Sequence, residues 1–326
     1  MDLSTEYMGL TLKNPLIVSS CDFTRSTDNI IRIEQAGGAA VVLKSLFEEQ
    51  LAADSESLIG KDDRYFYNQE ALDYINRFSR EHGIEEYLKL IRESREETSI
   101  PVIASVNCIT SSGWTDYARR IEDAGADGLE LNISSINFNP MMKSEQIERI
   151  YLDIVGKVKE SINIPLSVKM GFFFTNLYSM IRNIDRKGVS SVVMFNRNYR
   201  PDIDIEKLEI DNGNIYSAPE EITLSLRWIA LLSKDTECSL IGATGIHDGA
   251  GVIKQLLAGA SAVQICTTLY KNEIPYIGRM LEFIEGWMEK KKYERVDQFR
   301  GKIANSPELK YAFERIQFIR KVTGDL

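Results

Sequence analysis

Eight short runs of β-branched and aliphatic residues recur along the chain, each followed by a stretch of helical periodicity, and this alternation limits the folds open to it. The runs are Leu16–Ser19, Ala39–Lys44, Val102–Asn107, Gly128–Ile133, Leu166–Met170, Ser191–Phe195, Leu240–Ala243 and Ala262–Cys266. Near-continuous apolar character marks strands covered on both faces, the condition of a parallel sheet wrapped by helices. The helical patterns lie at Thr27–Ala36, Ile84–Glu97, Trp114–Ala124, Ser144–Ile162, Leu177–Lys187, Pro219–Ser233, Gly249–Ala258 and Glu273–Lys291. Such a series predicts an α/β chain closed as a (β/α)8 TIM barrel, and 326 residues is a length that one barrel commonly reaches.

Three phrases, Ala36-Gly37-Gly38-Ala39, Ala124-Gly125-Ala126-Asp127 and Ala258-Gly259-Ala260-Ser261, turn a helix directly into a strand. Small residues there allow the tight connections of the barrel's bottom face, so these glycines are expected to be structural. Two regions fall outside the repeat within what is expected to be one domain over residues 1–326. Residues 51–79 form a long insertion after the second strand, expected to act as a lid, a binding loop or a dimer contact. Residues 293–326 form a C-terminal extension with helical periodicity over Ser306–Val322.

Charge and cysteine usage exclude several functions. A net charge of −9 argues against a nucleic-acid surface, because phosphate recognition needs clustered positive charge. The one dense basic run, Lys290-Lys291-Lys292, closes a helix, where it complements the helix dipole. No apolar run approaches the roughly 18 residues that span a bilayer, and no basic region with an apolar signal core opens the chain, so a cytoplasmic protein is expected. Cys21, Cys108, Cys238 and Cys266 are too far apart for a Cys-x-x-Cys metal or cluster site. With only His82 and His247, neither a multi-histidine metal site nor a Ser-His-Asp triad is expected.

Barrel active sites form at the C-terminal ends of the strands, which singles out Lys44, Asn107, Asn132, Lys169 and Asn196. The run from Leu129 to Asn137 ends in amide and hydroxyl groups at Asn132, Ser134, Ser135 and Asn137, a set suited to a neutral or anionic heterocycle. Lysines pointing into a barrel mouth need an anion or an electron-rich ring, so Lys44 and Lys169 point to an anionic cofactor; a Schiff-base lysine is the competing use. Gly242 to Ile246 and Gln264 to Thr268 close the last two strands with small or hydroxyl-bearing residues, where barrels commonly hold a phosphate.

In this order the motifs resemble those of the dihydroorotate dehydrogenase family, from about Tyr7 to Lys291. Asn14-Pro15-Leu16-Ile17-Val18-Ser19-Ser20 is similar to the family's opening strand and Lys44-Ser45 to its second-strand lysine motif. Asn132-Ile133-Ser134-Ser135-Ile136-Asn137 is similar to its Asn-x-Ser-(Cys or Ser)-Pro-Asn motif, and Val168-Lys169, Asn196, Gly242 to Ile246 and Gln264 to Leu269 follow in register. The resemblance implies FMN in the barrel mouth, its phosphate near Gly242, Gly245, Cys266 and Thr267 and its ring near Ser19, Ser20, Lys44, Ser45, Asn107, Asn132 and Lys169. It further implies dihydroorotate held by Lys44, Asn68, Asn132, Asn137 and Asn196, and Ser135 as the base that takes the C5 proton while C6 delivers hydride to flavin N5. A homodimer is also suggested, with fumarate, NAD through an iron–sulfur partner, or quinone as the open choices of electron acceptor.

The pattern also departs from the family. Serine at position 135 is characteristic of the membrane-associated, quinone-using class, whereas soluble members usually carry cysteine, and here no amphipathic helices precede the barrel. The family's Asn-x-Met-Gly-x-x-Asn loop falls on Asn68 to Tyr74, where only the first Asn and Leu72 are retained; Ile136 replaces Pro; Thr244-Gly245 replaces a double glycine. Arg197 follows Asn196 in place of a small hydroxyl residue and is a candidate to bind a substrate carboxylate bidentately, or else to face solvent. A related oxidoreductase with another carboxylated or dihydropyrimidine-like ring substrate, and a flavin-binding protein without catalysis, are therefore the alternative readings.

Overall fold

The computed structural model describes residues 1–48, 69–108, 111–133, 139–197, 200–211, 213–306 and 313, and of 69–80 and 111–112 the course of the main chain. The barrel strands are β1 (Leu16–Val18), β2 (Ala40–Val42), β3 (Val102–Asn107), β4 (Gly128–Ile133), β5 (Leu166–Met170), β6 (Ser191–Met194), β7 (Ser239–Ala243) and β8 (Ala262–Ile265). All neighbours are parallel in the order β2-β1-β8-β7-β6-β5-β4-β3, and β3 pairs back with β2 through Val41↔Val102 and Val42↔Ile103, which closes the barrel. The sheet has the expected (β/α)8 form. Its helices are α1 (Thr27–Gln35), α2 (Gln69–Glu97), α3 (Ser111–Asp123), α4 (Ser144–Ser161), α5 (Leu177–Asp185), α6 (Ile222–Leu232), α7 (Gly249–Ala258) and α8 (Tyr276–Lys291).

Each strand is buried on both faces because alternate residues serve two cores. Val18, Val41, Val102, Leu129, Leu131, Val168, Val192 and Val263 pack outward against the helix ring. Ile17, Ala40, Val42, Ile103, Val193, Ile241, Ala243 and Ala262 pack inward, together with Tyr7, Met8 and Leu12. Those last three come from an N-terminal hairpin, Thr5–Tyr7 against Leu10–Leu12, which closes the bottom of the lumen. Gly128 is the floor of β4, where a Cβ would lie 2.9 Å from Met8 Cε.

The three small-residue turns behave as expected: Gly37, Gly125 and Gly259 have φ of 100°, 88° and 116°, a region that costs other residues steric strain. Several element ends fall one to three residues from expectation, α3 beginning at Ser111 and α6 at Ile222 among them, and two boundaries have a clear physical cause. Residues 69–79, placed in the insertion, belong to α2, which runs on through Gly83; a mid-helix glycine costs only about 1 kcal/mol and was a false boundary. Residues 49–68 and most of the Ser306–Val322 stretch lie outside the described residues. The eighth barrel helix begins at Tyr276, not Glu273, because Glu273 has φ 65° and ends a separate short helix, Thr267–Asn272, that precedes it. In the extension, Asp2 bridges to Arg295 and Val296–Gln298 forms a 3-10 turn.

Candidate functional site

Two pairs of side chains cross the lumen between strands on opposite sides of the barrel. Gln264 of β8 donates Nε2 to Oε2 of Glu130 on β4 across 2.5 Å. Lys169 of β5 donates Nζ to Ser19 Oγ, just past β1, at 2.9 Å and to Gln264 Oε1 at 3.2 Å. Ser19 Oγ also donates to Gln264 Oε1 at 3.0 Å. The amide of Gln264 is thereby oriented by chemistry alone, since a carboxylate only accepts and an ammonium only donates. Lys169 Nζ lies 3.8 Å from Glu130 Oε1, and that oxygen has no hydrogen-bond partner.

Above this layer stand the amides. Asn132, at the end of β4, accepts at Oδ1 from Asn196 Nδ2 just past β6, at 2.9 Å. Asn132 and Lys169 are 8% and 7% exposed, so both are presented from inside the mouth. On the β1–β3 side, Ser45 N donates to Ser20 Oγ at 2.8 Å, and the Ser45 and Ser105 hydroxyls are 2.8 Å apart. Tyr87 of α2 fixes this side: its Oη accepts from Ser105 N at 2.8 Å and donates to Ser105 O at 3.1 Å. Burial pushes the Tyr87 phenol well above its ordinary value, which keeps it neutral. Asn107 ends β3 half-buried and pairs in register with Phe47.

Lys44 is held differently. Its Nζ meets Asp22 Oδ1 at 3.2 Å, and its side chain is 40% exposed. Tyr270 Oη donates to Asp22 Oδ2 at 3.0 Å. Although burial alone would raise the Asp22 carboxyl, the bonds from Tyr270 and Lys44 outweigh it and hold it below its ordinary range.

The rim between β6, β7 and β8 encloses a 160 Å³ cavity bordered by Ser19, Lys169, Asn196, Gly245, Gln264 and Thr267. A 290 Å³ cavity adjoins it, sharing Phe195, Asn196, Arg197 and Thr244 and continuing along Phe172 and Phe173. The Thr244-Gly245 turn has φ of 69° and 77°. Gly245 can be nothing larger, since a Cβ there would lie 2.2 Å from Ile222 N at the start of α6. Thr244, β-branched in the left-handed region, is anchored by its hydroxyl to Phe195 O at 3.0 Å. Gly242 faces outward instead, where a Cβ would meet Gln255 Cδ of α7 at 2.8 Å, so only its main chain is available to the mouth. Thr267 Oγ1 accepts from Ser217 N at 3.2 Å. The neighbouring Cys21 first, and then Lys169 and Lys44, hold the Cys266 thiol below its ordinary value, while Cys21 itself is pushed up.

Arg197 neither faces solvent nor reaches freely into the cavity. Its Nη1 and Nη2 donate to Ile215 O at 3.1 Å and Asn214 O at 2.7 Å, and its Nε lies 3.4 Å from Glu221 Oε2. The guanidinium pins the 213–217 loop over the rim. Asn68, Ser135 and Asn137 lie outside the described residues.

Neither the strand-end rule nor the motifs give a role to Glu130, Ser105 or Ser167, or to the Gln264 side chain. The signal was nonetheless present: each stands two residues before an expected site residue, namely Asn132, Asn107, Lys169 and Cys266, and so shares its face of the strand. Among the described residues no group of three or more His, Cys, Asp or Glu is placed to hold a metal ion.

The donor set suits a flat anionic cofactor. One buried ammonium with two of its three N–H groups used, amides at two strand ends, and a glycine turn free of side chains surround the mouth. The family model described as dihydroorotate dehydrogenase matches residues 2–288. The chain is 26% identical over 308 residues to the catalytic subunit of dihydroorotate dehydrogenase B (NAD(+)) of Thermoplasma volcanium, covering 92% of this chain and 98% of that one. It is 23% identical over 317 residues to the dihydroorotate dehydrogenase (fumarate) of Lachancea kluyveri, covering 92% and 98%.

Proposed function

Because the chain belongs to the dihydroorotate dehydrogenase family, we propose that it binds FMN in the mouth of the barrel and oxidises dihydroorotate to orotate, a step of pyrimidine synthesis. The observation that carries this reading is the placement of Lys169, a buried ammonium hydrogen-bonded across the lumen, at the same end of the barrel as the Asn132–Asn196 amide pair. FMN, when bound, supplies the hydride acceptor at its N5.

Lys169 would hold the pyrimidine edge of the ring, where its positive charge would stabilise the negative charge developing on reduction. Ser19, Ser20, Ser45, Asn107 and Asn132 would line the ring, and Gly245, Cys266 and Thr267, with the main chain at Gly242, would hold the phosphate. Lys44, Asn132 and Asn196, joined by Asn68 and Asn137, bind the substrate; Lys44 exchanges Asp22 for the substrate carboxylate. Ser135 takes the C5 proton. A free hydroxyl is a weak base, so Ser135 needs a relay to pass the proton on. Arg197 serves the site by holding the 213–217 loop, and through that loop it shapes the rim.

A different carboxylated ring substrate is the second reading, supported by Arg197 bordering both cavities where the family carries a small hydroxyl residue. Among the described residues no helix is long and apolar enough to cross a membrane. We take the cytoplasm as its place and a homodimer as its assembly, for which Ile203, Ile205, Leu208 and Ile210, 67–86% exposed, offer apolar surface. Purified protein should carry the flavin absorption bands and, supplied with dihydroorotate and an artificial acceptor, form orotate. A protein that takes up no FMN, or binds it and turns over only another ring acid, contradicts this function.

A further inference from the structure

Glu130 has no exposure at all, and a desolvated carboxylate is costly unless its charge is used. Its hydrogen bond to Gln264 does not require that charge, since a glutamine in its place would accept the same bond. Lys169, 3.8 Å from Oε1, is the one cation among the described residues within ion-pair distance. The other ionisable groups nearby are Tyr7 and Tyr87, whose phenols burial and the Glu130 charge push upward, so neither competes as an anion. Tyr7 Oη lies near Ser167, Ser191 and Gln264 but makes no well-formed bond, and the Ser191 and Ser167 hydroxyls satisfy each other at 2.7 Å. Among the described residues Glu130 therefore stands as a lone negative charge beneath the one buried lysine of the mouth, tied to it a second time through the Gln264 amide.

Resting on the FMN reading above, we infer that Glu130 is a positioning residue that offsets part of the Lys169 charge and orients its ammonium, and thereby holds down the reduction potential of the bound flavin. Glu130 pairs with Ser167, one layer deeper in the lumen than Lys169, which would hold the cofactor at the mouth. With the carboxylate present, the flavin edge feels a partly compensated cation. Without it, the same ammonium acts at nearly full strength and favours the more negative, reduced form. Fields of separate charges add, and at greater depth the direct field of Glu130 is the smaller part; the larger part acts through the position of the ammonium, which Glu130 and the Gln264 amide fix, and so depends on Lys169 being there.

The test is the midpoint potential of bound FMN in four proteins: the wild type, E130Q, K169M and the double variant. E130Q should favour the reduced form at least tenfold, about 30 mV for a two-electron couple. In the K169M background the same change should shift the ratio less than threefold. Binding of oxidised FMN, followed by quenching of its fluorescence, should change less than the potential does. If E130Q does not fold, E130D retracts the charge by one methylene and should move the potential in the same direction, again only when Lys169 is present. An equal shift in both backgrounds, or no shift with Lys169 in place, overturns the inference while leaving the function standing. A wild type that binds no FMN overturns both.

Discussion

Asn196 Nδ2 donates to Asn132 Oδ1 across 2.9 Å, joining the ends of β6 and β4 over the end of β5 that carries Lys169. The bond uses one donor of Asn196 and one acceptor site of Asn132, and leaves the Asn132 amide donors for a ligand. Substrate binding is therefore expected to depend on the pair and not on either amide singly. Asn196→Ala should raise the KM for dihydroorotate roughly 10–100-fold, the equivalent of about 1.5–3 kcal/mol for a bond to a charged ligand, while FMN stays bound. Steady-state kinetics on the FMN-loaded protein reads this directly.

Ser135→Ala should lower the rate of the reductive step by roughly 10²–10⁴, the contribution of a positioned acid–base group, without releasing FMN. Stopped-flow loss of flavin absorbance measures it. A fall of only a few-fold means that another group takes the C5 proton.

Gly245 combines a φ of 77° with a main-chain neighbour, Ile222 N, that an added Cβ would meet at 2.2 Å. Gly245→Ala introduces both strain in the left-handed region and a clash with main chain, and is expected to cost about 1–3 kcal/mol of stability. FMN affinity should fall with it, because the turn is proposed to hold the phosphate. Thermal unfolding and fluorescence titration test the two effects separately.

The pH dependence of stability has a defined sign at His247. Burial, and then Lys271, lower its pKa below the ordinary 6.5, and its Nε2 lies 3.1 Å from Ser217 Oγ beside Thr267. A folded state that prefers the neutral ring is favoured above the unfolded pKa and loses stability as the pH falls from about 6.5 toward the lowered folded value. His247→Gln should flatten that decline. Denaturant midpoints between pH 7.5 and 5 check it, with stability rising on acidification as the contrary result.

The barrel was legible because its strands are contiguous apolar runs and its helices periodic, both local properties of the chain. The strand-end rule then brought Lys169, Asn132 and Asn196 to one mouth, and Gly245 and Thr267 to its rim. The layer beneath was not legible. Glu130 and Gln264 are 134 residues apart, and no local pattern says that β4 and β8 face each other across a lumen. Lys44 was expected to await an anion from outside, yet Asp22, brought in by the 3-10 turn after β1, already supplies one. Arg197 looked free for the same reason: the carbonyls of Asn214 and Ile215 that hold it belong to a loop whose course the sequence does not specify.

The most direct test of the proposed function is anaerobic mixing of the FMN-loaded protein with dihydroorotate in the absence of any acceptor. Loss of the flavin absorbance, with one orotate formed per flavin, is the expected result. Flavin that remains bound and oxidised in the presence of saturating dihydroorotate would contradict the account.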